Sequence, residues 1–469
     1  MWYRIPSTRD TFVSNKSTNG TLTSLASGSN FGLSPSVQIF SLKNKLITGS
    51  IELARALYQF DITELSGKIY NEKVIPSSSV SYYLRLNNVI HDKTVPTSYE
   101  LYVYPLSRSW TEGSGSDVFT FRDLGWTNWL SASSTVAWTI TGSDYLSGSA
   151  SNYGTGSQTF DLGNEDLEIN VTSIVNNWLT SSIGQAGGLP NNGVVVKLGN
   201  TEENNGTDYY LKSFYSRQTK FVDKLPHLEA RWDSDIIKDN RKNFAYDNDS
   251  NLYFYNFVRG SLKNVSEPVL VRIRDHTMAV SASYNVTITA SLAFSGVYSA
   301  SFNIQNTSSF SSSWVDVWFS GSRVYMSGTF VPLILTGSVV DQYPSFTVSA
   351  NVKEEYSQSE QDRIKVVVRR RHDKTLHLRT VHSASIDIDK EYIDDAYYSV
   401  VNDESGEIVI PFSTGSVKYT KLSYNSDGNY FDMFFNGLTS GFVYRFKFLI
   451  VYNRNKTIID SDHKFKVVG

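Results

Sequence analysis

The amino-acid sequence predicts an all-β protein, and three observations lead to that prediction. Aromatic residues make up 14% of the 469 residues, with 29 Tyr and 26 Phe, and aromatic side chains favour strands. Short alternating runs of apolar and polar residues are separated by clusters of Gly, Ser, Asn and Asp, which is the pattern of strands and turns. A single segment has the apolar spacing of a helix.

Six runs carry the clearest strand pattern. Alternation over 99–104 (YELYVY) predicts a strand with one buried face. The apolar run at 194–198 follows a turn signal at 191–193 (NNG), which marks the start of a new strand. The six predicted strands are 81–89, 99–104, 194–198, 284–292, 364–369 and 444–452.

One helix is predicted, at 172–179. Four apolar residues share one helical face, namely Ile174, Val175, Trp178 and Leu179. Thr172 precedes them and is a natural N-cap residue. The position of Trp178 on the apolar face predicts that this tryptophan belongs to the core.

The chain divides into three predicted β domains and a linker. Residues 234–251 are polar and charged with little periodicity, as expected of a linker. The character of the sequence changes again near 335–344. The predicted boundaries are 1–233 for the first β-sandwich, 234–251 for the linker, and 252–340 and 341–469 for two Ig-like sandwiches, whose lengths suit that fold.

Charge and composition argue against several classes of protein. The formal net charge is −3, from 43 basic and 46 acidic residues, without the basic excess of a dedicated nucleic-acid binder. Cys is absent, which removes disulfides, Cys nucleophiles and thiolate metal sites. No apolar stretch approaches the ~18 residues of a membrane span, and the N-terminus lacks the pattern of a signal peptide. We therefore expect neither nucleic acid nor a membrane as a partner.

The first 233 residues contain six short motifs in a fixed order. They are ARALYQFDI at 54–62, SWTEG at 109–113, LGWTNW at 124–129, LEINVTSIVNNW at 167–178, KSFYSR at 212–217 and LPHLEARW at 225–232. Together they resemble the DNRLRW-type jelly-roll domains, which look like carbohydrate-binding modules. The chain departs from that pattern at 228–232, where LEARW replaces the terminal signature of the family.

The resemblance implies a jelly-roll β-sandwich over 1–233. Such domains occur in surface polysaccharide enzymes and in structural proteins of tailed-phage virions. The rest of the chain is similar to the Ig-like β domains of marine-phage neck and tail proteins. The segments that carry this second resemblance are 269–274 (VLVRIR), 296–302 (GVYSASF), 315–321 (VDVWFSG) and 323–330 (RVYMSGTF).

Four aromatic residues are the candidate contacts for a glycan or a protein partner: Trp126, Trp129, Tyr145 and Tyr153. An aromatic ring can cover the apolar face of a sugar, and exposed Tyr serves protein interfaces equally well. Core packing is the alternative for both tryptophans. Glycan binding requires these rings to be exposed and close together.

Metal-binding patterns are weak. The run at 247–251 (DNDSN) lacks the Gly and the distant Glu of an EF-hand loop, so a solvated linker is favoured over a calcium site. Asp10 and Asp61 are further oxygen donors that a calcium ion within the jelly roll would use, but the sequence gives no geometry for them. We predict no cofactor and no metal.

The basic run at 368–373 (VRRRHD) is interpreted as a strand end that enters a charged turn, with contact to an acidic partner as the alternative. His372, His377 and His382 recur every five residues. On a strand this spacing places His377 on the face opposite the other two, which argues against a zinc site. The motifs of zinc proteases, serine hydrolases and P-loop proteins are absent, and we predict that the chain is not an enzyme.

Three hypotheses follow for function. The first is a non-enzymatic structural component of a tailed-phage virion, at the neck, collar, tail or head-fibre base. It would assemble in the host cytoplasm, dock to portal, neck, tail or capsid neighbours, and form a homo-oligomeric ring or occur in multiple copies. The second is a carbohydrate-binding protein that recognises host surface glycans through the jelly roll. A polysaccharide-degrading enzyme ranks last, because no acid–base constellation is recognisable. Buried tryptophans are expected under the first hypothesis, and exposed, clustered rings under the second.

Overall fold

The computed structural model confirms an all-β protein. Strands account for 51% of the chain and helical residues for 8%, and the sheets form β-sandwiches. The structure describes residues 1–16, 26–43, 51–90, 96–116, 126–147, 153–205, 210–233, 241, 244, 246–247, 249–258, 261–276, 285–294, 296–305, 313–332, 346–370, 393–425, 428–452 and 455–469. Within these ranges, no helix has the length and apolar character needed to cross a membrane.

Among the described residues, ten strands form the first β-sandwich. They are β1 (Trp2–Ser14), β2 (Ser36–Lys43), β3 (Ile51–Phe60), β4 (Val80–Leu86), β5 (Tyr99–Pro105), β6 (Gly156–Phe160), β7 (Leu167–Asn170), β8 (Val194–Leu198), β9 (Tyr210–Tyr215) and β10 (His227–Trp232). One layer has the order β7-β4-β10-β1, and the other has the order β6-β5-β8-β3-β1. In the second layer β2 also pairs with β3, and β9 pairs with β2.

Strand β1 belongs to both layers. Its residues 2–6 pair with β10, and its residues 7–14 pair with β3. The register shifts between Ser7 and Arg9, and such a bulge bends a strand. One strand therefore connects the two sheets at this corner.

The alternation predicted for 99–104 is confirmed in β5, where every second side chain is buried. The inward side chains of both layers form one core, in which Tyr99 and Phe160 stack with their ring centroids 5.3 Å apart. At the predicted turn before β8, Gly193 has φ +87°, and a Cβ there would lie 2.2 Å from the carbonyl oxygen of Tyr58. Only glycine fits that position.

In the described part of the first sandwich there are three helices. They are α1 (Thr63–Ser66), which continues as a π-helical turn (Gly67–Asn71), α2 (Thr172–Ser182) and α3 (Asn200–Glu203). Two 3-10 turns cover Ala26–Gly28 and Val222–Lys224. Helices α1 and α3 are single turns, too short for apolar periodicity to predict them.

Helix α2 confirms the predicted helix and the burial of its apolar face, including Trp178. The prediction of Thr172 as the N-cap is wrong, because Val171 occupies that position. The Thr172 hydroxyl accepts a hydrogen bond from the backbone N–H of Tyr82 at 2.9 Å. The neighbouring strand thus takes the oxygen that would have capped the helix.

The described residues of the second β-sandwich form nine strands. They are β11 (Ser250–Tyr255), β12 (Phe257–Val258), β13 (Ser261–Leu262), β14 (Leu270–Asp275), β15 (Asn285–Thr289), β16 (Ser291–Phe294), β17 (Val297–Phe302), β18 (Trp314–Ser320) and β19 (Arg323–Phe330). A sheet of order β11-β17-β16 faces one of order β15-β14-β18-β19, and β12 and β13 form a separate hairpin. Trp314 and Trp318 are fully buried in its core.

Two sequence predictions differ from the structure here. The predicted strand 284–292 is two strands, β15 and β16, which pair in different sheets. The alternation of apolar and polar residues continues across both strands, so it does not show where the chain passes from one sheet to the other. Within the predicted linker 234–251, Phe244 is 1% exposed and its ring packs against Phe302 and Phe330 at 5.0 Å. Part of that polar segment therefore contributes to the core.

Over the ranges that the structure describes, nine strands form the third β-sandwich. They are β20 (Phe346–Ala350), β21 (Glu355–Ser357), β22 (Gln361–Arg370), β23 (Asp395–Asn402), β24 (Ile408–Ile410), β25 (Ser423–Asn425), β26 (Gly428–Phe434), β27 (Val443–Tyr452) and β28 (Asn455–Val468). The sheets have the orders β20-β22-β26-β25 and β21-β28-β27-β23-β24. Strand β22 ends at Arg370, and the predicted charged turn with its three histidines lies outside the described residues.

The contact pattern divides the chain into two compact units. The first comprises Met1–Asp233 with the short segments Gln358–Glu360 and Phe434–Ser440. The second comprises the remaining residues, and the second and third β-sandwiches belong to it.

Candidate functional site

A tryptophan-rich segment covers the outer face of the β3–β8–β5 sheet in the first sandwich. Trp110, Trp129 and Trp138 are 2%, 7% and 5% exposed. They pack with Val13 of β1, Leu57 of β3 and other apolar side chains as a second, smaller core. We call residues 126–140, the part of this segment that forms a short hairpin, the tryptophan hairpin.

Side-chain hydrogen bonds fix the tryptophan hairpin. The side-chain oxygen of Asn128 accepts bonds from the N–H groups of Leu130 and Ser131 at 2.8 and 2.9 Å. The indole N–H of Trp138 donates to the Asn128 carbonyl at 2.9 Å. The carboxylate of Asp144 accepts bonds from two further N–H groups of the segment. The hairpin is therefore held by its own polar groups and anchored by buried rings.

A buried ion triad lies beneath this segment. The Arg55 guanidinium of β3 donates two hydrogen bonds to the Glu203 carboxylate of α3, at 2.9 and 2.8 Å. Lys197 of β8 lies 3.0 Å from the same carboxylate, and burial lowers the pKa of Lys197. Arg55 also donates to the carbonyl oxygen of Gly142 at 3.2 Å. The triad thus connects β3, β8 and α3 to the covering segment.

Trp129 and Tyr145, two of the predicted contact residues, meet at this triad. The Arg55 guanidinium lies 5.3 Å from the Trp129 ring and 5.6 Å from the Tyr145 ring. Tyr145 is half-buried, stacks on Tyr104 with centroids 5.1 Å apart and lies 5.7 Å from the Lys197 ammonium. Both rings are therefore engaged with neighbours inside the protein.

Trp126 and Tyr153, the other two predicted contacts, lie elsewhere. Trp126 is 41% exposed on the tryptophan hairpin. Tyr153 is half-buried and packs against the main core rather than against the smaller one. Two residues beyond Tyr153, Thr155 begins the lining of a polar cavity of about 320 Å³ that also includes Ser157 and Ser173. The structure therefore brings together Trp129 and Tyr145 but not all four rings.

Asp10, one of the two predicted oxygen donors for calcium, is buried beside the half-buried Glu112. Its carboxylate accepts a hydrogen bond from the Arg217 N–H at 2.5 Å, and its own N–H donates to Glu112 at 2.8 Å. Burial, reinforced by the Glu112 charge, raises the pKa of Asp10 to about 7. Asp61 is exposed and accepts a bond from the Thr63 N–H. Among the described residues, no three or more His, Asp or Glu side chains lie close enough to hold a metal ion.

A second cluster of buried charged side chains lies on β1 and β10, in the layer of order β7-β4-β10-β1. Glu229 of β10 is 3% exposed and accepts hydrogen bonds from Arg4 at 3.1 Å and from Arg231 at 2.5 and 2.9 Å. His227 lies 3.1 Å from the same carboxylate. Burial and the Arg4 charge lower the pKa of His227 to about 4, and the three basic side chains keep the pKa of Glu229 well below its usual value despite burial.

These two clusters and the triad were not predicted from the sequence. A signal exists for the triad: Lys197 interrupts the apolar strand β8 (VVVKL), and Arg55 lies among the apolar residues 53–58 of β3. A charge in such a strand requires a buried partner. The partners lie far away in the sequence, so the signal identifies one member and not the group.

Comparisons with known proteins identify no family for this chain. No protein-family model matches the chain, and no curated protein matches it. A structure of murine CEACAM1b is 10% identical, with 50% of this chain and 98% of that chain covered and a TM-score of 0.14. Latent PorU from Porphyromonas gingivalis is 10% identical, with 83% and 34% covered and a TM-score of 0.17. A Salmonella alpha-2-macroglobulin is 7% identical, with 99% and 26% covered and a TM-score of 0.17.

The fold places the chain in the class of all-β proteins built from β-sandwiches. The tryptophan hairpin on the first sandwich combines buried aromatic anchors with exposed apolar side chains.

Proposed function

We propose that this protein is a non-enzymatic structural component of a tailed-phage virion, at the neck, collar, tail or head-fibre base. It acts by docking rigid β domains against portal, neck, tail or capsid neighbours, and it occurs as a ring or in several copies per particle. One observation carries the proposal: the first sandwich presents exposed apolar side chains on a hairpin that buried tryptophans hold in place.

Four large side chains of the tryptophan hairpin face solvent: Trp126 at 41%, Leu130 at 46%, Val136 at 37% and Ile140 at 68% exposure. No charged residue occurs from 126 to 143. Apolar, uncharged surface is characteristic of the centre of protein interfaces. Because the hairpin is already fixed, ordering it on association costs little conformational entropy.

The test places a charge on this surface. Ile140→Asp and Leu130→Asp are introduced into the phage, and particles are sedimented through a density gradient. The proposal expects both variants to fold yet to be depleted from particles at least ~10-fold, because a buried unpaired carboxylate opposes association. Ile458→Asp is the matched control, since Ile458 is 61% exposed on β28. Normal incorporation of both hairpin variants would contradict the proposal.

The alternative function is glycan binding by the jelly roll, and the exposure of Trp126 favours it. A glycan array of host surface polysaccharides, probed with the wild-type chain and with Trp126→Ala, tests this alternative. Glycan binding that depends on Trp126 would support it. Trp129→Ala is not an informative partner, because Trp129 is 7% exposed and its removal leaves a cavity in the smaller core.

A further inference from the structure

The second β-sandwich contains a solvent-facing cavity of about 490 Å³. It lies where β11 ends, where β12 follows, and where β19 begins. Its lining residues are Phe254, Tyr255, Asn256, Phe257, Val258, Arg323, Val324 and Tyr325. Its volume lies in the range of ~300–1,000 Å³ that is usual for small-molecule sites.

The rim of this cavity exposes large apolar side chains. Phe257 is 51% exposed, Val258 39% and Val324 59%. Side chains of this kind are usually buried, and a group of them at one cavity marks a contact surface rather than a packing defect. The rim therefore offers an aromatic ring and two aliphatic groups to a ligand.

The floor of the cavity is fixed from below. The Tyr325 ring lies 5.5 Å from the Phe254 ring, and Phe254 stacks on Trp318 of the core with centroids 5.6 Å apart. Trp318 is fully buried. A ligand that contacts Tyr325 thus meets a preorganised ring, which reduces the entropic cost of binding.

One cation stands at the rim. The Arg323 guanidinium lies 4.9 Å from the centroid of the Tyr325 ring, and the side chain is exposed. Within the described part of the chain, that ring is its only partner. By contrast, Arg241 of the same sandwich lies 3.0 Å from the Asp316 carboxylate. A guanidinium oriented by an aromatic face keeps its N–H donors available for a carboxylate.

We propose that this cavity binds a saccharide that carries a carboxylate, such as a uronic acid unit of an acidic polysaccharide. The apolar face of the sugar ring packs on the exposed Phe257 ring, and Arg323, held over the Tyr325 ring, donates hydrogen bonds to the carboxylate. A single cation beside aromatic rings suits a ring-shaped monoanion, whereas an acidic peptide is bound better by a row of basic side chains. The site is independent of the proposed virion role, because no residue of the tryptophan hairpin belongs to it.

The test is isothermal titration calorimetry of the full chain with short oligogalacturonates. Neutral cello-oligosaccharides of the same length and oligoglutamate are the comparison ligands. The proposal expects oligogalacturonate to bind more tightly than either, with an affinity that falls as salt is added. No binding of oligogalacturonate, equal binding of the neutral sugar, or tighter binding of oligoglutamate would overturn it.

Variants assign the binding to the cavity. Arg323→Gln and Phe257→Ser should each weaken binding at least ~10-fold, the loss expected when a charge-assisted contact or an aromatic contact is removed. Arg323→Lys should fall between wild type and Arg323→Gln, because it keeps the charge and loses the planar donors. The matched control is Arg272→Gln, since Arg272 is an exposed arginine 5.2 Å from the Phe319 ring in the same sandwich and outside the cavity. Undiminished binding by Arg323→Gln, or equal weakening by Arg272→Gln, would refute the site.

Discussion

The regions around Asp10 and Glu229 hold two carboxyl groups of the same β-sandwich that are equally buried, at 1% and 3% exposure. Asp10 receives one backbone N–H bond and faces a second carboxylate, Glu112, and its pKa rises to about 7. Glu229 is surrounded by basic side chains, and its pKa falls well below the usual value. Burial favours the neutral form of both carboxyl groups. At Asp10 the Arg217 charge opposes burial without outweighing it, whereas at Glu229 the His227 hydrogen bond and the charges of Arg4 and Arg231 outweigh burial.

This difference has a consequence for stability. A carboxylate that is charged and paired in the folded state becomes costly when its charge is removed, because its cations remain buried. A carboxylate that is forced to stay neutral instead opposes folding whenever the unfolded chain would ionise it. The same substitution, acid to amide, is therefore expected to act in opposite directions at Glu229 and Asp10.

Glu229→Gln should give the largest effect. The amide keeps the shape of the side chain but removes the buried negative charge that Arg4 and Arg231 contact, and breaking a buried pair costs ~3–5 kcal/mol. Urea unfolding at neutral pH measures the loss. Glu168→Gln is the control, because Glu168 pairs with Arg231 but its side chain is 37% exposed, and it should lose no more than ~1 kcal/mol. An equal loss of unfolding free energy in the two variants would show that burial does not distinguish Glu229 from an exposed carboxylate.

Asp10→Asn should stabilise the protein above neutral pH. The pKa of Asp10 is about 7 in the folded state against 3.8 as the reference value. The contribution of Asp10 to stability is therefore fully present below pH 3.8 and is lost as the pH rises towards 7. The variant should exceed wild type by as much as ~4 kcal/mol at pH 8, from 1.36 kcal/mol per pKa unit, and match it near pH 4. Unfolding curves at both pH values measure this, and a destabilised variant at pH 8 would contradict it.

His227→Gln should make the free energy of unfolding less dependent on pH between pH 4 and pH 7. The pKa of His227 is lowered from 6.5 to about 4, so its contribution is present above pH 6.5 and is lost as the pH falls towards 4. Removing the imidazole should remove up to ~3 kcal/mol of that pH dependence. Unfolding between pH 4 and pH 7 tests this. The exposed His276 supplies the control, since His276→Gln should leave the slope in place.

Asp432→Asn should give the smallest effect. Arg363 of the third sandwich donates two hydrogen bonds to Asp432, at 2.7 and 2.9 Å. The side chain of Arg363 is 51% exposed, however. Water screens such a pair, and we expect a loss below ~1 kcal/mol. A loss as large as that of Glu229→Gln would show that bidentate geometry, rather than burial, governs these clusters.

Local patterns predicted much of the fold. The period of two in 99–104 and the helical spacing at 172–179 each depend on one buried face, and both elements are present as β5 and α2. The burial of Trp178 follows from the same spacing. These features are local because neighbouring side chains on one element share one environment.

The site was less predictable for a physical reason. Arg55 and Glu203 are 148 residues apart, and only the folded sheet brings them together. The exposure of Trp126 and the burial of Trp129 could not be separated either, since both lie among polar residues. Their difference arises from the turn at Asn128, which directs one ring into the smaller core and leaves the other at the surface.

The most direct test of the proposed virion role is quantitative mass spectrometry of purified phage particles, with the copy number of this chain measured against the major capsid protein. The proposal predicts recovery at a fixed stoichiometry that is a multiple of three, five, six or twelve, as a closed ring or vertex requires. Absence from intact particles, with the chain free in the lysate, would contradict it.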